Sequence, residues 1–205
     1  MKDYTSIVVI LDKSASMAPQ ENKVAQGYNQ FVNDQKELGD NASLELVQFD
    51  NKVEVSYVST IVDTKQLSNV YSPFEKKIYY RPNGRGTALF DAIGVTCDRV
   101  GWKLSELDES ERPDKVLVVI FTDGIDNCSQ RYSKNDIAKM IKHQTEVYSW
   151  NFVFLGADMN VATQAVDLGL SFENTINYQN DSESGYRSLS TLTTSYRLGN
   201  LTIKH

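Results

Sequence analysis

The feature that most constrains this chain is an uninterrupted apolar run that ends in a carboxylate. The run Ile7 to Leu11 is mostly β-branched, and Asp12 follows it at once. A run this short and continuous is typical of a strand that is buried on both faces, as in a parallel sheet. Asp12 is then expected at the carboxyl end of the strand, where open α/β sheets bind their ligands.

Two hydroxyl residues, Ser14 and Ser16, follow Asp12 at alternate positions. An extended or turning backbone can direct the three side-chain oxygens to one point. Oxygen ligands suit a hard cation such as Mg²⁺ or Mn²⁺. Taken alone, so short a segment could equally be an N-cap cluster for the helix that follows.

Two later segments extend the pattern. They are Gly86-Thr87-Ala88-Leu89 and, after a second buried strand, Phe121-Thr122-Asp123-Gly124. Together with the segment Asp12 to Met17, they resemble the metal-ion-dependent adhesion site of the von Willebrand factor type A domains, and the resemblance covers Ser6 to Asn127. It implies an α/β fold: a doubly wound, mostly parallel sheet with one antiparallel edge strand and helices on both faces.

The resemblance also implies a ligand set for Mg²⁺ or Mn²⁺: Asp12, Ser14, Ser16, Thr87 and Asp123. Two carboxylates leave the ion electrophilic, and in integrin-type relatives a Glu or Asp of a partner protein completes its coordination. We therefore expect a metal-dependent protein-binding domain of the adaptor or adhesion type. No histidine lies near a motif, so we expect no enzyme. A metal-dependent hydrolase or phosphotransferase, or a module for nucleic acid or another ligand, stays open as the alternative.

The loop before Thr87 is basic in a chain that is acidic overall. Prolines and glycines predict a loop from Tyr71 to Gly86. Its candidate partner-binding residues combine positive charge with the aromatic side chains common in interfaces, and they are Lys76, Lys77, Tyr79, Tyr80, Arg81 and Arg85. A solvated loop without function is the alternative.

Periodicity predicts alternating strands and helices in the rest of the chain. Further strands are expected at 42–50, 53–61, 115–121, 150–155 and near 172–178, and helices at about 20–38, 62–69, 87–104, 136–146, 162–168 and 186–196. The link Asp50-Asn51-Lys52 predicts a hairpin that makes the antiparallel edge. We expect one domain over residues 1–205, similar to single-domain forms from bacteria and phages.

Several side chains have a structural and a functional interpretation. Thr87 is expected to cap the helix that it begins, and Asp91 to orient a neighbouring loop. Asp126 and Asn127 are either turn residues or supports of the metal ligands. The side chains of Trp102 and Trp150 are expected to pack in the interior.

Composition excludes some classes of partner. The net charge of −6 and the pI near 5.0 argue against nonspecific nucleic-acid binding. No segment is typical of a signal peptide or a membrane span, and two cysteines without metal-ligand spacing indicate free thiols in a reducing cytoplasm. The oligomeric state is not indicated.

Overall fold

The computed structural model describes residues 3–68, 77–156, 159–177 and 182–200. Its strands are β1 (Thr5–Asp12), β2 (Ala42–Phe49), β3 (Val53–Thr60), β4 (Leu67–Ser68), β5 (Ile78–Tyr79), β6 (Lys115–Thr122), β7 (Asn151–Gly156) and β8 (Thr175–Asn177). Its α-helices are α1 (Glu21–Glu37), α2 (Leu89–Ser105), α3 (Lys134–Tyr148), α4 (Met159–Asp167) and α5 (Ser182–Arg197). Single 3₁₀ turns span Ala15–Gln20, Glu109–Glu111 and Phe172–Asn174.

The main sheet has the strand order β3-β2-β1-β6-β7-β8. All of its pairs are parallel except β2 with β3, which are antiparallel. The predicted hairpin is therefore confirmed, and so is the fold class. β1 and β6 lie at the centre, with Leu11 opposite Phe121. Both strands thus end at the same edge of the sheet, as the sequence predicts for Asp12 and Asp123.

Helices cover both faces because the central strands are apolar on both. Ile7, Val9 and Leu11 belong to a core that includes side chains of α1 and α5, whereas Val8 and Ile10 belong to a core formed with α2, α3 and α4. Burial on both sides explains why β1 is a continuous apolar run rather than an alternating one.

A glycine allows α1 and α5 to approach closely. A Cβ on Gly27 of α1 would stand 2.0 Å from the ring of Tyr186 on α5. That ring also stacks on Phe121 of β6, with centroids 5.0 Å apart. Gly27 therefore lets one aromatic side chain bridge two helices and the central sheet.

The helix predicted at 62–69 is wrong. The described part of this segment turns at Val62 and Asp63 and then forms β4, and residue 69 lies outside the described residues. The side chain of Asn29 holds both backbone groups of Leu67, because its amide donates to the carbonyl (3.0 Å) and its oxygen accepts from the N–H (2.7 Å). These two hydrogen bonds between residues distant in sequence favour an extended backbone over a local helix.

The two tryptophans differ in their exposure to solvent. Trp150 is 4% exposed, as predicted, but Trp102 is 65% exposed, so the prediction that it packs inside is wrong. The buried stripe of α2 runs through Ile93, Cys97 and Val100. Trp102 lies two residues beyond Val100, about 200° around the helix, and so points away from that stripe.

Within the described ranges, no helix is both long and apolar enough to cross a membrane.

Candidate metal centre

Asp12 is fixed at the edge where β1 and β6 end. Its side chain is 0% exposed. Oδ1 accepts the N–H of Ser14 (2.6 Å), and Oδ2 accepts the hydroxyl of Thr122 at the end of β6 (2.6 Å). The backbone carbonyl of Asp12 accepts the hydroxyl of Tyr80 (2.8 Å). One neighbouring group and groups from two segments distant in sequence therefore define the position of Asp12.

Burial raises the pKa of Asp12 to about 6 from its usual 3.8. The hydrogen bonds from Thr122 and Ser14 oppose that rise in pKa, and the negative charge of Asp123 adds to it. The donors are neutral, so they stabilise the ionised carboxylate less than a cation would. An ion with positive charge placed here would favour the ionised form.

The two serines join Asp12 to the second motif. The hydroxyl oxygens of Ser14 and Ser16 are 3.0 Å apart, and the Ser16 hydroxyl donates to Oδ1 of Asp123 (2.7 Å). Ser14 occupies the N-cap position of the turn that follows, yet its side chain makes no capping hydrogen bond. The structure therefore gives no support to the N-cap alternative, and it brings the Ser16 hydroxyl against a carboxylate from another loop.

Thr87 reaches the same edge from the loop before α2. It is 3% exposed, and its Oγ1 is 3.5 Å from the point where a Cβ would stand on Gly124, next to Asp123. The predicted capping role of Thr87 is wrong, because the N-cap position is Ala88. The Thr87 hydroxyl instead lies beside the loop that carries Asp123.

Side chains that follow Asp123 in sequence cap the N-terminus of α2. Oδ1 of Asp126 accepts the N–H of Phe90 (3.1 Å), and the hydroxyl of Ser129 accepts the N–H of Asp91 (3.0 Å). These bonds satisfy donors that a helix start leaves without intrahelical partners. Asp126 is therefore more than a turn residue, because it ties the third motif to the helix of the second.

Asn127 holds Thr87 by its backbone. The side-chain oxygen of Asn127 accepts the N–H of Thr87 (2.8 Å), and the backbone N–H of Asn127 donates to the Thr87 carbonyl (3.0 Å). The two alternatives for Asn127 are thus resolved in favour of a support. Its sequence position after a strand and a glycine did not reveal this role, because its partner lies 40 residues away.

Asp91 orients a loop, as predicted. Its carboxylate accepts the backbone N–H groups of Gln130 (2.9 Å), Arg131 (2.8 Å) and Tyr132 (3.0 Å). Three such bonds fix the segment that leads from the loop of Asp123 into α3.

The basic loop is attached directly to the serine turn. Ala15 donates its N–H to the carbonyl of Gly84 (3.0 Å), and Gly84 donates to the carbonyl of Lys13 (3.3 Å). A Cβ on Gly84 would stand 2.2 Å from the Cβ of Asp50, so only glycine fits. The described part of the loop therefore borders the candidate site.

The candidate residues of the loop separate into three groups. Lys77, Tyr79, Arg81 and Arg85 are exposed. Tyr80 is 0% exposed, so its prediction as an interface aromatic is wrong, and its hydroxyl instead supports Asp12. Lys76 lies outside the described residues.

The site as a whole is an edge where oxygen atoms of several loops converge. The oxygens belong to the carboxylates and hydroxyls of Asp12, Ser14, Ser16, Thr87 and Asp123. Such a donor set fits a hard divalent cation and not a soft one, which takes thiolate or imidazole ligands. The fold and these loops together define the class of the chain: an α/β domain with a candidate cation site at the carboxyl edge of its mostly parallel sheet.

The family match agrees with this description. The model of the von Willebrand factor type A domain matches residues 6–191. The chain therefore belongs to the von Willebrand factor type A domain family. Comparison with curated proteins gives no match.

Solved structures share the fold at low sequence identity. Proximal thread matrix protein 1 from the mussel byssus is 16% identical with a TM-score of 0.62, over 92% of this chain and 46% of that one. One structure of that protein has a zinc-occupied MIDAS motif, the metal-ion-dependent adhesion site. The pilus adhesin SpaC from Lactobacillus rhamnosus GG is 12% identical with a TM-score of 0.65, over 96% of this chain and 30% of that one. The ArnB paralog VWA2 from Sulfolobus acidocaldarius is 17% identical with a TM-score of 0.53, over 93% of this chain and 45% of that one. This chain thus spans less than half the length of each of these relatives.

Proposed function

We propose that this chain is a divalent-cation-dependent protein-binding domain. Mg²⁺ or Mn²⁺ is held by Asp12, Ser14, Ser16, Thr87 and Asp123, and a Glu or Asp side chain of a partner protein completes the coordination. The observation that carries the proposal is the contact between the two loops, in which the Ser16 hydroxyl meets both Ser14 and Asp123. Zinc at the MIDAS motif of proximal thread matrix protein 1 supports a divalent cation in this fold.

The chemistry of the donor set favours a carboxylate partner. A bound divalent cation would supply a Lewis-acidic centre whose charge of 2+ the two aspartates balance but do not exceed. Neutral hydroxyls of Ser14, Ser16 and Thr87 fill coordination positions without adding charge. The residues of the chain would therefore hold the cation and leave an anion from outside as its best further ligand.

A hydrolase or phosphotransferase function is less well supported. Such chemistry needs a positioned base near the reacting atoms. His143 lies on α3, in a groove with Trp102 and Trp150 away from the motif residues, and His205 lies outside the described residues.

Cys97 and Cys128 are free thiols, which supports a reducing, cytoplasmic location as part of the same proposal.

The test is whether the chain takes up Mg²⁺ through the proposed ligands. Calorimetry should detect Mg²⁺ binding to the wild-type chain, and Mg²⁺ at about ten times its Kd should raise the free energy of unfolding by about 1.4 kcal/mol. Ser14→Ala with Ser16→Ala should abolish both effects, because it removes two ligands.

Ser188→Ala with Ser195→Ala on α5 is the matched control and should keep both effects. Capture of proteins from the native host with and without EDTA then tests the partner. Equal Mg²⁺ binding by the two double variants, or capture that is unchanged by EDTA, contradicts the proposal.

A further inference from the structure

Exposure alternates at every residue from Lys77 to Arg85, within the described part of the basic loop. Lys77, Tyr79, Arg81, Asn83 and Arg85 are exposed. The residues between them are buried, and they are Ile78, Tyr80, Pro82 and Gly84. A period of two is the pattern of extended backbone, in which alternate side chains leave the same face about 6.6 Å apart. We call the exposed set the outer row.

The inward side of this segment fixes it to the domain. Ile78 and Tyr80 donate their N–H groups to the carbonyls of Gln66 (2.8 Å) and Ser68 (2.9 Å). The Tyr80 hydroxyl binds the Asp12 carbonyl, and Gly84 binds the serine turn. The outer row is therefore held against the candidate metal centre, with Arg85 at the end nearest to it.

The charge of the outer row is positive, in contrast to the chain as a whole. Residues 77–85 contain Lys77, Arg81 and Arg85 and no Asp or Glu, whereas the net charge of the chain is −6. Glu21, at the start of α1, is an acid that acts on Arg81. Arg81 also contacts Tyr79, since its Nη1 donates to the Tyr79 hydroxyl (3.3 Å).

We infer that the outer row is the docking surface for an extended acidic segment of the partner protein, with carboxylates at alternate positions. This inference rests on the proposed function, because a carboxylate at the Arg85 end of that segment is the one that reaches the cation. An extended segment repeats its side chains at the spacing of the row, so alternate acids face Lys77, Arg81 and Arg85 in register. Tyr79 and Asn83 lie between them and face the intervening acids, to which a hydroxyl and an amide can donate hydrogen bonds.

A protein segment fits these observations better than a nucleic acid. The outer row is short, and the pI near 5.0 disfavours the broad basic surface that a phosphate backbone requires.

The experiment compares two synthetic peptides of equal composition and of the same length as the row. In one peptide Glu and Ser alternate, and in the other the Glu residues are grouped at one end. Fluorescence anisotropy in Mg²⁺ should show the alternating peptide binding about threefold more tightly. Arg81→Glu with Arg85→Glu should weaken that binding by about tenfold, and the affinity should fall as salt rises.

Lys139→Glu with Lys142→Glu on α3 is the matched control, because it makes the same charge change on another face. It should change peptide affinity by less than about twofold. Equal effects of the two charge reversals overturn the inference, as does equal affinity for the two peptides. Tighter binding of a single-stranded oligonucleotide than of the alternating peptide also overturns it.

The two proposals fail in different ways. The arginine variants should bind Mg²⁺ at least as tightly as the wild-type chain by calorimetry, because neither residue is a proposed ligand and the new carboxylates attract a cation. The peptide measurements are repeated in EDTA, where the preference for the alternating peptide should persist at lower affinity. Absence of Mg²⁺ uptake by the wild-type chain contradicts the proposed function alone, whereas loss of the arginine dependence in both conditions contradicts the docking row alone.

Discussion

Two buried carboxylates of the central sheet are satisfied in opposite ways. Glu45 on β2 is 6% exposed and forms ion pairs with Arg99 and, at 3.2 Å, with Lys103 of α2. Asp12 on the neighbouring strand is 0% exposed and is held by the neutral donors of Ser14 and Thr122. The fold provides cations for the first carboxylate and only dipoles for the second.

This difference distinguishes Glu45, whose charge is paired within the protein, from Asp12, whose charge is available to bind a cation. A buried ion pair needs both partners, and an uncompensated carboxylate in the interior destabilises the fold. At Asp12 the folded protein keeps a carboxylate whose pKa is raised to about 6, mainly by burial. The comparison predicts that Glu45 contributes to stability through its partners, whereas Asp12 lowers stability until a cation binds.

The largest change in stability is expected at the ion pair of Glu45 with Arg99. Arg99→Met should lower the free energy of unfolding by about 3 kcal/mol, because it leaves Glu45 buried with Lys103 alone. The double variant Glu45→Leu with Arg99→Met should recover most of that loss, since both charges are gone. Urea unfolding in EDTA measures all three proteins. A double variant as unstable as the single one would mean that packing, and not charge, is responsible.

A substitution at Asp12 is expected to change stability in the opposite direction. Asp12→Asn should raise the free energy of unfolding in EDTA by about 2 kcal/mol at neutral pH, because it removes an ionised carboxylate from a buried site. The new amide can donate to Thr122, whose hydroxyl can turn its proton to the Gly124 carbonyl at 3.1 Å. The variant should also lose the stabilisation by Mg²⁺. A loss of stability in EDTA would show that the charge of Asp12 itself holds the turn.

The same pair of proteins gives a pH dependence. The folded-state pKa of Asp12 is about 6 and its usual value is 3.8, so between these values the folded state binds more protons than the unfolded state. This group therefore adds stability as the pH falls from 7 to 5, by about 1 kcal/mol in EDTA, and its unfavourable contribution is complete above pH 7. The difference in unfolding free energy between wild type and Asp12→Asn isolates the effect from other titrating groups. If that difference does not change with pH, the pKa of Asp12 is not raised.

The central sheet and the motif residues were predictable because their signals are local. The apolar runs of β1 and β6 are continuous in sequence, and a motif at the end of each strand is carried to the shared edge by parallel pairing. Trp102 was also predictable in principle, since the helical stripe that defines α2 leaves it on the outside.

The supports of the site were not predictable from one sequence. In the sequence Tyr80 cannot be distinguished from the adjacent Tyr79. Only the pairing of β5 with β4 decides which of the two side chains points inward. The capping of α2 by Asp126 joins residues 36 positions apart. In both cases the deciding partner is distant in the chain, and local patterns carry no information about it.

The smallest effect on stability is expected at Asn127, which supports the site and not the core. Asn127→Ala removes the acceptor of the Thr87 N–H but keeps the backbone bond to the Thr87 carbonyl, so the unfolding free energy in EDTA should fall by about 1 kcal/mol or less. Mg²⁺ affinity should fall by about tenfold, because Thr87 loses one of its two anchors beside Asp123. Asn127→Asp retains an acceptor oxygen and should restore most of that affinity. Calorimetric Mg²⁺ titrations and urea unfolding of the same preparations separate the two quantities. If Asn127→Ala lowers stability by as much as Arg99→Met, Asn127 belongs with the structural group of Glu45, and the division between fold and site at this edge is wrong.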